Sequence, residues 1–173
     1  ASARDAVAIL ARLGIERAVL NGWSLGGAIA VEAARRLGAR CAGVVLTTAA
    51  SPRYTRAPDF APGNPPGSTA QTVAQLRADR ATFLLDLTRA ICAKPATAAL
   101  EQWMWSLFMQ AAPSADDALA ELDHLDQRAA LAALEVPVLS IVGAKDVVVP
   151  PDVCREAARI ARHGRAVEFA ESG

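Results

Sequence analysis

The stretch "NGWSLGGAIA", Asn21 to Ala30, sets a serine between two large apolar residues and puts three glycines within six positions. Residues 22–26 read Gly-x-Ser-x-Gly, after an apolar run and before a helical pattern, which is the context that gives this motif its meaning. The chemistry such a spacing permits is nucleophilic. A strand-to-helix turn this tight forces Ser24 into a strained backbone conformation and lifts its hydroxyl above the sheet edge. Gly22 and Gly26 are expected to keep the flanking strand and helix clear of side chains, and Gly27 extends that clearance. The N–H of Leu25 then points at the place where an oxyanion would form, at the positive end of the helix that begins there. A phosphate-binding loop fits poorly, because "GWSLGG" lacks the Gly-Lys-Ser/Thr ending. Tryptophan and serine also stand where a dinucleotide loop needs closely spaced glycine.

The elements that would hold this serine alternate between strand and helix. "RAVLNG", Arg17 to Gly22, reads as a short strand, and "AIAVEAARRLGA" as a helix ending near Gly38. "CAGVVLTTAA" concentrates β-branched residues at Val44, Val45, Thr47 and Thr48 and reads as a buried strand. "VPVLSIVGAKD" repeats that form behind Pro137, and "PPDVCREAARIARHG" supplies a helix with Pro151 near its first turn. Strands of this kind joined by helices imply an α/β fold with a parallel sheet covered on both faces. The chain opens on a further helix, in which Val7, Leu10 and Leu13 share a face, Ser2 is placed to cap the start and Gly14 to end it. It closes on "RAVEFAESG", a short strand running into a loop.

Residues 51–134 follow a different pattern. Five prolines between Ser51 and Thr69 predict a long irregular connection. Helical patterns then run on without strands: "TVAQLRADRATFLLDLTRAICA" as one helix, "TAALEQWMWSLFMQAA" as a second, and "SADDALAELDHL" as a shorter one capped by Ser114. This divides the chain into core at 1–50, a helical lid insertion at 51–134, and core again at 135–173. In "LEQWMWSLFMQ", Leu100, Trp103, Met104, Leu107 and Phe108 fall on one stripe, with Trp105 and Met109 pointing elsewhere. Part of that surface, Trp103 in particular, is expected to join Trp23 in the wall of an apolar pocket.

With these motifs in place, the chain resembles the α/β-hydrolase superfamily, and within it the small lidded serine hydrolases. "LNGWSLGG" is similar to the elbow of pimeloyl-acyl-carrier methyl esterases. "PDFAPGNPPG" and "DRATFLLDLTRAICA" resemble the lid of cofactor-free haloperoxidase or perhydrolase-type esterases. The resemblance implies acyl transfer from a carboxylic ester or related acyl compound to water through a catalytic triad, with Ser24 as nucleophile. No metal or organic cofactor is implied. Two alternatives remain open: the same triad can use peroxide in place of water, and the fold also serves as a non-catalytic binding or receptor module.

In this superfamily the catalytic order along the chain is serine, then an acid, then histidine. The resemblance puts the acid at Asp146, in the loop just after the strand "LSIVG". Asp123 and Asp126 follow a helix and read as surface charges. The chain holds two histidines. His124 precedes Asp146, and His163 falls in the last helical turn before the final strand, where a histidine favours the negative end of a helix. Neither matches the family position, which lies in the loop immediately beyond "FAESG". Relatives also carry strands and a second oxyanion loop ahead of the helix with which this sequence opens. The expectation is therefore an internal piece of a longer hydrolase, inactive or nearly so by itself.

Composition narrows the partner. The 173 residues are 53% apolar and carry a formal charge of zero, leaving no electrostatic footprint for nucleic acid or an anionic membrane. A small-molecule acyl substrate is the partner expected. Arg53, Arg56 and Arg77 are scattered along the insertion and read as solvated. Cys41, Cys92 and Cys154 fit neither a disulfide framework nor a zinc site, and no apolar run approaches the ~20 residues of a membrane span, so a cytoplasmic location is expected.

Overall fold

A computed structural model describes residues 2–173. Four strands, β1 (Ala18–Trp23), β2 (Cys41–Thr47), β3 (Val138–Gly143) and β4 (Gly164–Phe169), pair in sequence order, and every pairing is parallel. Parallel neighbours need a crossover, so each connection carries a helix or helices. These are α2 (Leu25–Leu37) between β1 and β2, α8 (Pro151–Ile160) between β3 and β4, and a five-helix insertion between β2 and β3. The insertion comprises α3 (Ser68–Ala78), α4 (Arg80–Ala90), α5 (Ala98–Met109), α6 (Ala115–Ala120) and α7 (Arg128–Ala132). Helix α1 (Ser2–Arg12) leads into β1.

The period-two alternation of β2 and β3 determines where the core sits. Val44 and Leu46 lie beside Val138 and Ser140 in register, all buried, and with Ala30, Val31, Ala34, Leu131, Leu134 and Ala157 they fill one face of the sheet. Ser140 is satisfied there by donating its hydroxyl to the Cys154 carbonyl of α8, 2.7 Å away. The opposite face carries Val45, Leu139 and Ile141, which stay half-buried. Both faces were expected to be covered; among the described residues α2, α7 and α8 pack on the first. Val7 and Leu10 of α1 reach that cluster, whereas Leu13 does not follow them, because the helix ends at Arg12 and Gly14 turns left-handed with φ +66°. Leu13 is left 66% exposed.

Two expectations for the insertion change. The long pattern 72–93 is broken at Asp79, which takes φ −151° and accepts the Thr82 N–H at 3.1 Å, capping α4 and separating it from α3. An aspartate in a continuous helical periodicity competes for backbone donors, and here the cap outweighs the helix. Ser114 does not cap α6: its backbone is already helical and its hydroxyl takes no N–H. Thr97 does cap α5, accepting the Leu100 N–H at 3.3 Å. No helix among the described residues is long and apolar enough to cross a membrane.

Candidate active site

Because all four strands run the same way, their carboxyl ends share one edge, and the loops leaving that edge meet. Ser24 leaves β1 there with φ +51° and ψ −124°, a region that L-residues with a side chain seldom occupy. Three backbone bonds hold it in that state. Its N–H donates to the Thr47 carbonyl at 3.2 Å, and its carbonyl accepts the N–H groups of Gly27 and Ala50, each at 2.9 Å. The turn is thus tied both to α2 and to the end of β2.

The glycines divide in their reasons. A Cβ at Gly22 would lie 2.2 Å from the Gly26 carbonyl oxygen, and one at Gly27 would lie 2.2 Å from the Ala49 Cβ. Both positions exclude any side chain. At Gly26 an added Cβ meets nothing within 4 Å, so this glycine gives clearance to Gly22 through its backbone and not through the space its own side chain would fill. Leu25 is the first residue of α2, and its N–H therefore has no acceptor within the helix. Its side chain turns away, against Ala28, Ala50 and Leu122.

Asp146 stands three residues beyond β3, two strands across from Ser24, which places their parent strands ~10 Å apart at one interstrand spacing of ~4.8 Å each. Its Oδ1 accepts two backbone N–H groups, from Val148 at 2.8 Å and Val149 at 2.9 Å. Oδ2 accepts nothing from the described residues and remains open to a donor. Ser24, Asp146 and Trp23 line one cavity of about 210 Å³. Its remaining wall is mostly apolar: Leu87 and Ile91 from the end of α4, Phe108 from α5, Val148 and Val149 from the Asp146 loop. Gly173, the last residue, also lines it. It is drawn there because the 169–173 loop folds back on β3, the Lys145 N–H donating to the Ser172 carbonyl at 2.8 Å.

Trp103 is not brought to this cavity. It is 60% exposed, and Phe108, five positions on and therefore about 140° further around the helix, faces inward instead. The stripe read from the sequence splits accordingly: Leu100, Trp103 and Leu107 face out, while Met104 and Phe108 are half-buried. Trp105 fixes this rotation by donating its indole N–H to the Ala81 carbonyl of α4 at 2.9 Å. The sequence marks Thr48 only as a β-branched strand residue, not as part of the site. Thr48, at the exit of β2, has φ +38°, an outlying conformation for a β-branched residue, and lines the cavity beside Ser24.

Neither histidine reaches the cavity. His163 lies three residues beyond the end of α8, in the turn before β4, exposed, with its carbonyl accepting the Val138 N–H at 3.0 Å. That is the amino edge of the sheet, a strand's length of ~20 Å from the carboxyl edge. His124 is exposed at the end of a 3-10 turn over Glu121–Asp123. Asp123 is more than a surface charge: its two carboxylate oxygens accept the N–H groups of Gly67 and Ala70 at 3.3 and 3.4 Å, at the start of α3. Asp126 pairs with Arg128 and Arg53, and the Arg128 guanidinium holds its carboxyl below the usual range. Arg77 pairs with Asp117 across the insertion. Among the described residues no cluster of three His, Cys, Asp or Glu side chains is placed to hold a metal ion.

Comparison with known proteins identifies the fold and the family of this chain. The chain is 34% identical over 174 residues to the AB hydrolase superfamily protein YisY of Bacillus subtilis, covering 99% of this chain and 65% of that protein. It is 33% identical over 165 residues to a pimeloyl-[acyl-carrier protein] methyl ester esterase of Stenotrophomonas maltophilia, covering 90% and 61%. Among solved structures an esterase from Exiguobacterium antarcticum superposes with a TM-score of 0.93 at 25% identity, covering 99% of this chain and 65% of that one. The chain thus spans somewhat under two thirds of the length of these relatives. A family model described as the alpha/beta hydrolase fold matches residues 1–173, and the chain belongs to that family.

Proposed function

We propose that the protein is a serine hydrolase that cleaves carboxylic esters with uncharged, apolar acyl or aryl groups through an acyl-enzyme on Ser24. The observation that carries this reading is the strained backbone of Ser24 in one cavity with an aspartate that has one carboxylate oxygen fixed and the other free. A structural serine has no need of φ +51°, and a turn aspartate has no need to share its cavity. In this reading Ser24 Oγ attacks the acyl carbon while a base takes its proton. The Leu25 N–H donates to the developing oxyanion, and the alcohol leaves carrying the proton. Water then attacks the acyl carbon of the ester on Ser24, releasing the acid and restoring the hydroxyl.

The base is an imidazole that neither His124 nor His163 supplies. Asp146 would accept from its Nδ1–H through the free Oδ2, holding the tautomer and stabilising the cation formed when Ser24 loses its proton. Gly173 lies in the cavity wall, so a histidine carried just beyond it would enter between Ser24 and Asp146. The helices α3 to α6 act as a lid, and Leu87, Ile91 and Phe108 are its substrate-facing wall. Among the described residues that wall carries no cationic side chain and is mostly apolar, which favours an uncharged acyl group. The test is hydrolysis of p-nitrophenyl acetate and butyrate by the full-length protein that carries this sequence. Ser24→Ala should lower kcat/KM by roughly a thousandfold or more. Retention of wild-type turnover in Ser24→Ala would refute the reading.

A further inference from the structure

The loop that carries Asp146 is gripped from a second, sequence-distant segment. The Val148 carbonyl, two residues after Asp146, accepts two side-chain hydrogen bonds: from the Tyr54 hydroxyl at 3.1 Å and from the Asn64 Nδ2–H at 3.0 Å. Both lone pairs of that oxygen are used. The same peptide-bonded residue gives its N–H to Asp146 Oδ1 at 2.8 Å. Val148 is therefore held on one side by the carboxylate and on the other by the 51–67 segment.

The two donors are themselves fixed together. The Asn64 N–H donates to the Tyr54 carbonyl at 2.9 Å, and the Arg56 N–H donates to the Asn64 carbonyl at 3.0 Å. The chain can fold back this closely because Gly63 takes φ +111° where a Cβ would lie 2.8 Å from the Tyr54 carbonyl oxygen. The pair is also anchored to the insertion, since Thr55, between Tyr54 and Arg56, donates its hydroxyl to the Asp123 carbonyl at 3.0 Å. Burial, and then the negative charges of Asp146 and Asp123, push the Tyr54 phenol up to about 12, so it stays a donor throughout the working range of pH.

We infer that Tyr54 and Asn64 are positioning residues for Asp146: by saturating the Val148 carbonyl they fix the loop whose N–H groups orient the carboxylate, and they tie that orientation to the segment leading into the insertion. The inference rests on the proposed role of Asp146 and adds two residues that do not line the cavity shared by Ser24 and Asp146. A donor pair with this task acts on turnover and not on substrate binding. It also has an effect only while residue 146 is a carboxylate.

The experiment is a double-mutant cycle in the full-length protein, read as p-nitrophenyl acetate hydrolysis, with Tyr54→Phe, Asp146→Asn and the pair of substitutions together. Tyr54→Phe should lower kcat about tenfold with KM within about twofold. In the Asp146→Asn background the same substitution should cost less than about twofold, because the group it orients is already impaired. Asn64→Ala should repeat the pattern and serves where Tyr54→Phe fails to fold. An equal cost in both backgrounds means that the donors act on the fold and not through Asp146, and overturns the inference, as does wild-type turnover in both Tyr54→Phe and Asn64→Ala. Wild-type turnover in Asp146→Asn overturns it too, together with the role of Asp146 on which it rests.

Discussion

Trp23 stacks on Phe108, with ring centroids 6.2 Å apart and 20° between the planes. The residue immediately before the proposed nucleophile thus touches the helix that forms part of the cavity wall, joining β1 to an insertion that begins after β2. Trp23 is still 50% exposed, so the contact governs geometry more than stability. Phe108→Ala should cost the roughly 0.5–1.5 kcal/mol of the aromatic pair, plus the apolar area that the half-buried ring covers, in thermal unfolding. It should also raise the ratio of octanoate to acetate ester hydrolysis by lengthening the cavity. An unchanged ratio would mean that Phe108 does not bound the acyl group.

The elbow glycines make a sharper prediction, because three neighbouring residues of one type should respond in two ways. Gly22→Ala and Gly27→Ala push a Cβ to 2.2 Å from backbone or a packed methyl. Each should lose about 3 kcal/mol or more in urea unfolding, at the upper end of overpacking costs. Gly26→Ala meets open space within a helix and should hold or gain up to about 1 kcal/mol. Equal losses at all three positions would contradict the packing described.

The thiols report on the core beneath the site. Cys41 and Cys154 are buried, and burial pushes the Cys154 thiol up to about 12. A disulfide reagent at pH 8 should therefore modify Cys92 quickly and the other two only on unfolding. Fast modification of Cys154 would mean that α8 does not pack on β3 as described.

Glu32 on α2 offers a dependence on pH. Its hydrogen bonds to Arg35, then those to Arg36, take its carboxyl from the ordinary 4.5 to about 2. The sign follows: a carboxyl depressed on folding stabilises above the unfolded value, and that contribution fades as pH falls from about 4.5 toward about 2. The pair is solvent-exposed in part, so Glu32→Gln should lose no more than about 1 kcal/mol at pH 7, and that difference should shrink by pH 2. A difference that persists at pH 2 would have another origin.

The sequence exposed the parts of this protein that local chemistry dictates. A turn that holds a residue at φ +51° with a strand and a helix pressed against it leaves no room for a side chain at Gly22 or Gly27, so Ser24 and its glycines stood out. The strands were legible because a parallel sheet needs short apolar runs. What the sequence hid depended on rotation or on distance. An apolar stripe on α5 says which residues are apolar, not which side meets the sheet, and Phe108 rather than Trp103 lines the cavity. The break at Asp79 was masked because helical periodicity continues through it. Thr48 carries no motif, and Tyr54 and Asn64 meet Val148 across 94 and 84 residues, a separation with no spacing rule to reveal it.

The most direct measurement is covalent. A fluorophosphonate reacts with a hydroxyl only where a base has activated it, so the full-length protein should take up one equivalent, and peptide mass spectrometry should find the adduct on Ser24. Substituting Ser24→Ala should abolish it, and Asp146→Asn should slow it. An adduct on another residue, or none in a folded protein, would contradict the assignment of Ser24 as nucleophile.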